Sequence, residues 1–228
     1  FFLDNNKNSF EKSTDLMILQ VDLWIDKLDL KKAFDLNEEI LKRDHNNVSA
    51  LNNKGVIYER NARFQFPEKY FQKSLEVFED LVKIDINSTY GLANKSLLLS
   101  TLGKKDDAEK LIEFAYNLFP KSDLILNRKG VFLLNNNEPR KALKYFNSSL
   151  KLHYSGQTLL NRASTRYNLK QYPACINDLN MLLKNEPQNS SAWELKGQCA
   201  KILRKPDKKK CFDNAKKFTK KPISLLED

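Results

Sequence analysis

Across residues 89–122, Leu92, Ser96 and Leu99 and then Ala108, Ile112 and Ala115 stand at spacings of three and four among polar neighbours, and Pro120 closes the set. Each half of that pattern lines one face of an α-helix, so the stretch predicts two helices joined by a short turn. The pattern recurs in both directions. Leu51, Gly55 and Tyr58 precede it, whereas Leu126, Gly130 and Leu133 follow, paired with Ala142, Phe146 and Ser149. Further along come Cys175, Leu179, Leu182 and Pro187, and then Trp193, Gly197 and Ala200. At the start of the chain, Leu16, Leu19 and Leu23, with Met17, Val21 and Trp24 nearby, predict a first helix, and Ala33, Leu36, Ile40 and Leu41 a second. The register is least regular there, with Val21 where a smaller residue is usual and Asn37 at a bulky position.

The predicted architecture is therefore all-α, about six helical hairpins over residues 14–223, with units 14–47, 48–88, 89–122, 123–155, 156–189 and 190–223. Residues 1–13 offer no apolar face and are expected to form a frayed leader. Prolines keep the same phase. Pro67, Pro139 and Pro173 fall at the start of second helices, where the missing N–H is not needed, and Pro120 and Pro187 fall after their ends. The unit 48–88 is 41 residues long where its successor has 34. The surplus lies around residues 61–78 and predicts a longer connection carrying Phe64 and Phe66, followed by a helix extended by about one turn.

Composition narrows the class. Six glycines and seven prolines among 228 residues are too few for an all-β chain. Three cysteines, Cys175, Cys199 and Cys211, without a CxxC spacing, fit reduced thiols in a cytoplasmic setting. No apolar run is long enough to span a bilayer. The first residue is Phe1 rather than Met, which leaves room for a signal peptide or further domain upstream. Net charge is +10, and residues 201–221 hold ten Lys and Arg against Asp207 and Asp213, a local +8. This last helix has few apolar positions beyond Phe212, Ala215 and Phe218, as expected for the charged outer face of a capping helix.

With its bulky–small–bulky first helices, small–bulky–small second helices and closing prolines, the chain resembles the tetratricopeptide repeat family. The resemblance covers residues 14–220 and implies a right-handed superhelical solenoid in which first helices line a concave surface. It implies a non-catalytic scaffold that binds a peptide or extended segment of a protein partner there, with no small-molecule substrate and no cofactor. Two residues before each small position stand Asn53, Asn94, Arg128 and Asn161, expected as a row of anchors for a peptide backbone. One residue after it stand Val56, Leu97 and Val131, an apolar strip with Tyr90, Leu124 and Leu134 close by. Some members clamp acidic tails with Lys, Asn and Arg. Here Asn94 and Arg128 match that clamp, but Asn52, Val56 and Leu124 occupy its other positions, which argues against it.

Two alternatives stand beside this reading. Arg204, Lys205, Lys208, Lys209 and Lys210 could contact phosphates of nucleic acid or an anionic membrane surface. Phe64, Phe66, Tyr70 and Phe71 could make the long unit a homodimerisation surface. For catalysis the chain offers little: His45 and His153 fall at unit ends, Cys175 and Cys199 at packing positions, and no GxGxxG, phosphate-binding or GxSxG motif is present. No metal site is expected.

Overall fold

The structure is a computed structural model that describes residues 13–226; of the expected leader, all but Ser13 lies outside them. Those residues form twelve helices and no sheet: α1 Thr14–Lys27, α2 Leu30–Arg43, α3 Val48–Ala62, α4 Pro67–Ile84, α5 Thr89–Thr101, α6 Lys105–Leu118, α7 Asp123–Asn135, α8 Pro139–Leu152, α9 Gly156–Asn168, α10 Tyr172–Asn185, α11 Ser190–Ile202 and α12 Lys208–Phe218. The chain divides into two compact units. One is Phe1–Lys104 with Lys221–Asp228, and the other is Lys105–Lys220. In the first, α1 packs on α2 and α3 on α4; in the second, α7 packs on α8, α9 on α10 and α11 on α12. First helices also touch their like, α1 with α3, α3 with α5, α7 with α9 and α9 with α11.

Local chemistry repeats with the packing. The side chains of Asn47, Ser88, Ser122, Ser155 and Asn189 cap α3, α5, α7, α9 and α11, each accepting a bond from the backbone N–H three residues on. Such a cap satisfies a donor that the helix leaves orphaned. At the other end of the first helices, Leu28, Gly103, Asn137, Lys170 and Arg204 all take positive φ. The N–H of each bonds back three residues and the next N–H five residues, as Lys170 does to Tyr167 and Gln171 to Arg166. This double closure reverses the chain while satisfying the last carbonyls of the helix. Second helices then start at Pro67, at Pro139 and one residue before Pro173.

Small residues set how closely two helices of a hairpin approach. A Cβ at Gly130 would lie 2.6 Å from the Phe146 ring, one at Gly55 2.4 Å from Phe78, and one at Gly197 2.8 Å from Phe212. Phe78 and Phe146 are fully buried, each contributing on the order of 2–3 kcal/mol of burial. In the long unit it is Phe78 that meets the glycine. The seven surplus residues extend α3 by two, the connection by one and α4 by four relative to α5 and α6. Most of the surplus is therefore helix, and only one residue of it is loop.

The first helix keeps Val21 at the small position of the repeat but exposes part of its expected apolar stripe. Met17, Val21 and Ile25 are its buried residues, while Leu16, Leu19 and Leu23 are exposed at 40%, 63% and 49%. Both stripes have helical spacing, and packing against α2 and α3 selects the one containing Val21. Asn37 is buried as well, its Nδ2 donating to the Ala50 carbonyl at 3.0 Å. A polar side chain thus occupies a bulky position by donating to a carbonyl in the first turn of the next helix.

Candidate functional site

In the first unit, the expected anchors lie where α1, α3 and α5 run side by side. Asn94 donates to Asn52 Oδ1 at 2.8 Å, tying α5 to α3. Asn53 is buried and donates to Asp22 Oδ1 at 2.9 Å, tying α3 to α1. Burial pushes the Asp22 carboxyl up, against the Asn53 amide. Tyr90 projects at 64% exposure one turn before Asn94, with Leu97 one turn after it, and Leu97 and Val56 are both half-buried.

In the second unit, Asn161 donates to Asn127 Oδ1 at 3.0 Å and accepts from Gln157 at 3.1 Å. Arg128 and Val131 are half-buried on α7. The amides are thus committed to neighbouring helices, and the outward-facing character comes from the residues between them. Polar groups held in pairs fix side-chain orientation.

Within each unit a second set of contacts recurs at one phase of the first helices. Lys54 meets Glu38 at 2.9 Å, Lys95 meets Glu79 at 3.9 Å and Lys129 meets Glu113 at 2.8 Å. Arg162 occupies the same phase and donates to Asn147 at 2.8 Å. Each cation stands one residue before the small position of its first helix, and its partner belongs to the second helix of the preceding hairpin. Lys129 is the most enclosed, with its Nζ 3.8 Å from the Tyr116 ring centroid and 5.0 Å from that of Tyr145. Burial works against its charge, but Glu113 and the Tyr145 hydroxyl outweigh it and lift its pKa. Arg162 also joins Arg166 on the buried Asp178, at 2.6 and 2.7 Å. Sequence reasoning passed over this ladder, although a cation recurs at one phase in five successive first helices, Lys196 included.

The second unit also holds a cleft of about 530 Å³ bounded by α9, α11 and α12, with Leu160, Ser164, Leu195, Gln198, Phe212 and Lys216 among its walls. Ser164 and Gln198 follow the small positions of their helices as Val56, Leu97 and Val131 do. Extending that one-residue rule to the last two hairpins finds them.

Arg204, Lys205, Lys208, Lys209 and Lys210 are all exposed at the turn into α12. In the long unit Phe64 and Phe66 are exposed at 44% and 50%, but Tyr70 is buried and Phe71 packs against the core of the first unit. The Cys199 thiol lies 3.3 Å from that of Cys175, both buried, and burial pushes both thiols up. Such groups are poor nucleophiles. Among the described residues no cluster of three His, Cys, Asp or Glu could hold a metal ion, and no helix is long and apolar enough to cross a membrane.

Paired helices with glycine-seated aromatics and a left-handed residue at a fixed phase define the tetratricopeptide-repeat fold. A thermophilic TPR protein of Thermus thermophilus superposes with TM-score 0.67 at 16% identity, over 84% of this chain and all of that one, 100%. The Pseudomonas aeruginosa pilF structure gives 0.58 at 18%, covering 90% of this chain and 87% of that one. YrrB, a TPR protein described as having an unusual peptide-binding site, gives 0.50 at 11%, covering 80% and 92%. No family model and no curated protein sequence matches the chain.

Proposed function

We propose that the protein is a non-catalytic scaffold that binds an extended segment of a protein partner through the exposed faces of its first helices. The observation that carries this reading is the α3–α5 pair. Asn94 and Asn52 lock the two helices together, and Tyr90, Leu97 and Val56 stand around that lock with apolar surface in reach of solvent. An exposed tyrosine on a rigid helix, beside apolar side chains and amide groups, suits recognition of a peptide by area and backbone bonds together. In the second unit Arg128, Val131 and Asn161 present a similar mixture, and the cleft beside α12 adds a concave surface. The peptide-binding site named for YrrB supports the same class of ligand for this chain.

A display library of random peptides selected on the immobilised protein tests the proposal. Enriched peptides are expected to lose about tenfold or more in affinity on Tyr90→Ala, with the thermal unfolding midpoint unchanged. Selection of no peptide, or peptides indifferent to Tyr90→Ala and to Val131→Ala, would overturn it.

A further inference from the structure

The segment that follows α12 does not end with the helix. Residues 221–226 belong to the first unit, and beyond a bend at Ile223 they pair with it through Ser224 and Leu226. The Ile223 N–H donates to the Leu28 carbonyl at 2.9 Å, and Leu30 N–H donates to the Ser224 carbonyl at 3.0 Å. The Leu28 carbonyl also accepts from the Ser224 N–H at 3.4 Å, and this bond with that from Leu30 makes a parallel bridge between Asp29 and Ser224. The Ser224 hydroxyl donates to Asp29 Oδ1 and accepts from the Lys31 N–H at 3.2 Å. Two residues on, the Leu226 N–H donates to Asn61 Oδ1 at 2.9 Å, and its carbonyl accepts from Gln65 Nε2 and, at 3.4 Å, from the Tyr70 hydroxyl. The Leu226 side chain is 5% exposed, in the same core as Leu30, Ile57 and Tyr70.

We infer that this edge of the first unit is a binding site for an extended segment of the pattern Ile-Ser-Leu-Leu, and that residues 223–226 fill it as a ligand held in cis. Main-chain bonds supply register, Ser224 enters a polar slot, and Leu226, with half-buried Leu225 beside it, packs on the apolar core. The slots are built by the helices of the first unit. Leu28 and Asp29 come from the α1–α2 turn, whose left-handed residue leaves the Leu28 carbonyl open to the segment. Asn61, Gln65 and Tyr70 come from the elongated hairpin. With the segment in place Asn61 is fully buried, its side-chain oxygen paired to the Leu226 amide. The extra length of that hairpin is thereby given a use: Asn61 and Gln65 lie within it. A tethered ligand competes at high effective concentration, so the same segment supplied from outside enters only when the tether is released.

Full-length protein carrying Leu226→Asp, with folding checked by circular dichroism, provides a vacated site. The probe is a fluorescent synthetic peptide of residues 219–228, read by anisotropy. It should bind Leu226→Asp at least about tenfold more tightly than wild type. Adding Asn61→Ala to Leu226→Asp should abolish that binding. Leu226→Asn vacates the same apolar slot without placing a charge in the core, and should admit the peptide as Leu226→Asp does. Equal binding to wild type and both vacated variants, binding to none of them, or undiminished binding after Asn61→Ala would overturn the inference. A concentration-dependent wild-type dimer that Leu226→Asp dissolves would assign the segment to a second copy and overturn the cis arrangement.

Discussion

The α3–α4 and α9–α10 connections join two helices of a hairpin by different means. In the second, Lys170 turns the chain at φ 60° with two backbone bonds, and nothing else is asked of the loop. At the same phase of the longer hairpin Ala62 is still helical. There the N–H groups of Phe64 and Gln65 bond back to Asn61, and the left-handed residue is displaced to Phe66, before Pro67. The same short turn between α1 and α2 lends the tail one backbone carbonyl, that of Leu28. The long one turns a buried asparagine and a glutamine toward Leu226. Added length here creates acceptors and donors pointing away from the hairpin.

That contrast can be broken at several points. Leu226→Ala should lower the unfolding free energy by about 3 kcal/mol, whereas Leu152→Ala, at a site 51% exposed on α8, should change it by less than about 0.5 kcal/mol; urea denaturation distinguishes them. Asn61→Ala should cost about 2 kcal/mol by leaving the Leu226 amide unpaired, and Asn136→Ala, at the same phase of an ordinary hairpin, should again cost less than about 0.5 kcal/mol. Equal losses would mean that the tail contact contributes nothing. Glycine should act with opposite signs at one phase. Lys170→Gly relieves a left-handed side chain and should raise stability by about 1 kcal/mol, and Ala62→Gly in helix should lower it by about the same.

The smallest expected effect is on pH. The Ser224 hydroxyl holds the Asp29 carboxyl below the usual carboxylate range; burial opposes this and Lys32 reinforces it. A carboxyl whose folded pKa is depressed contributes stability above the unfolded value of about 3.9 and loses it as pH falls through the folded one. The Leu226 amide resonance should therefore hold its position from neutral pH to about 5 and shift only below about 4. Asp29→Asn should flatten that shift.

The hairpin phase was legible because glycine and alanine positions admit few alternatives: Gly130 and Gly197 face rings wherever the register is kept. In α1, apolar residues occupy nearly the whole circumference, so periodicity alone gave no reason to prefer Val21 over Leu19. Tyr90, Asn94 and Leu97 could be placed on one helical face, but not the Asn52 partner of Asn94, 42 residues earlier. Pro222 reads as a stop, and it does follow the last helix. What comes next depends on contacts with residues more than 150 positions away, and no local pattern encodes them.

The cation ladder has a consequence for how such a chain tolerates rearrangement. Each rung joins a first helix to the hairpin before it, and the rungs are alike in phase though not in residue. Excising residues 123–155 as a block would bring Arg162 opposite Glu113, replacing an arginine–asparagine seam with an arginine–carboxylate one. Cutting out one helix instead would put cation against cation phase and leave no rung. Whole hairpins are the interchangeable parts of this molecule, and duplication or loss in that unit leaves the seams chemically closed.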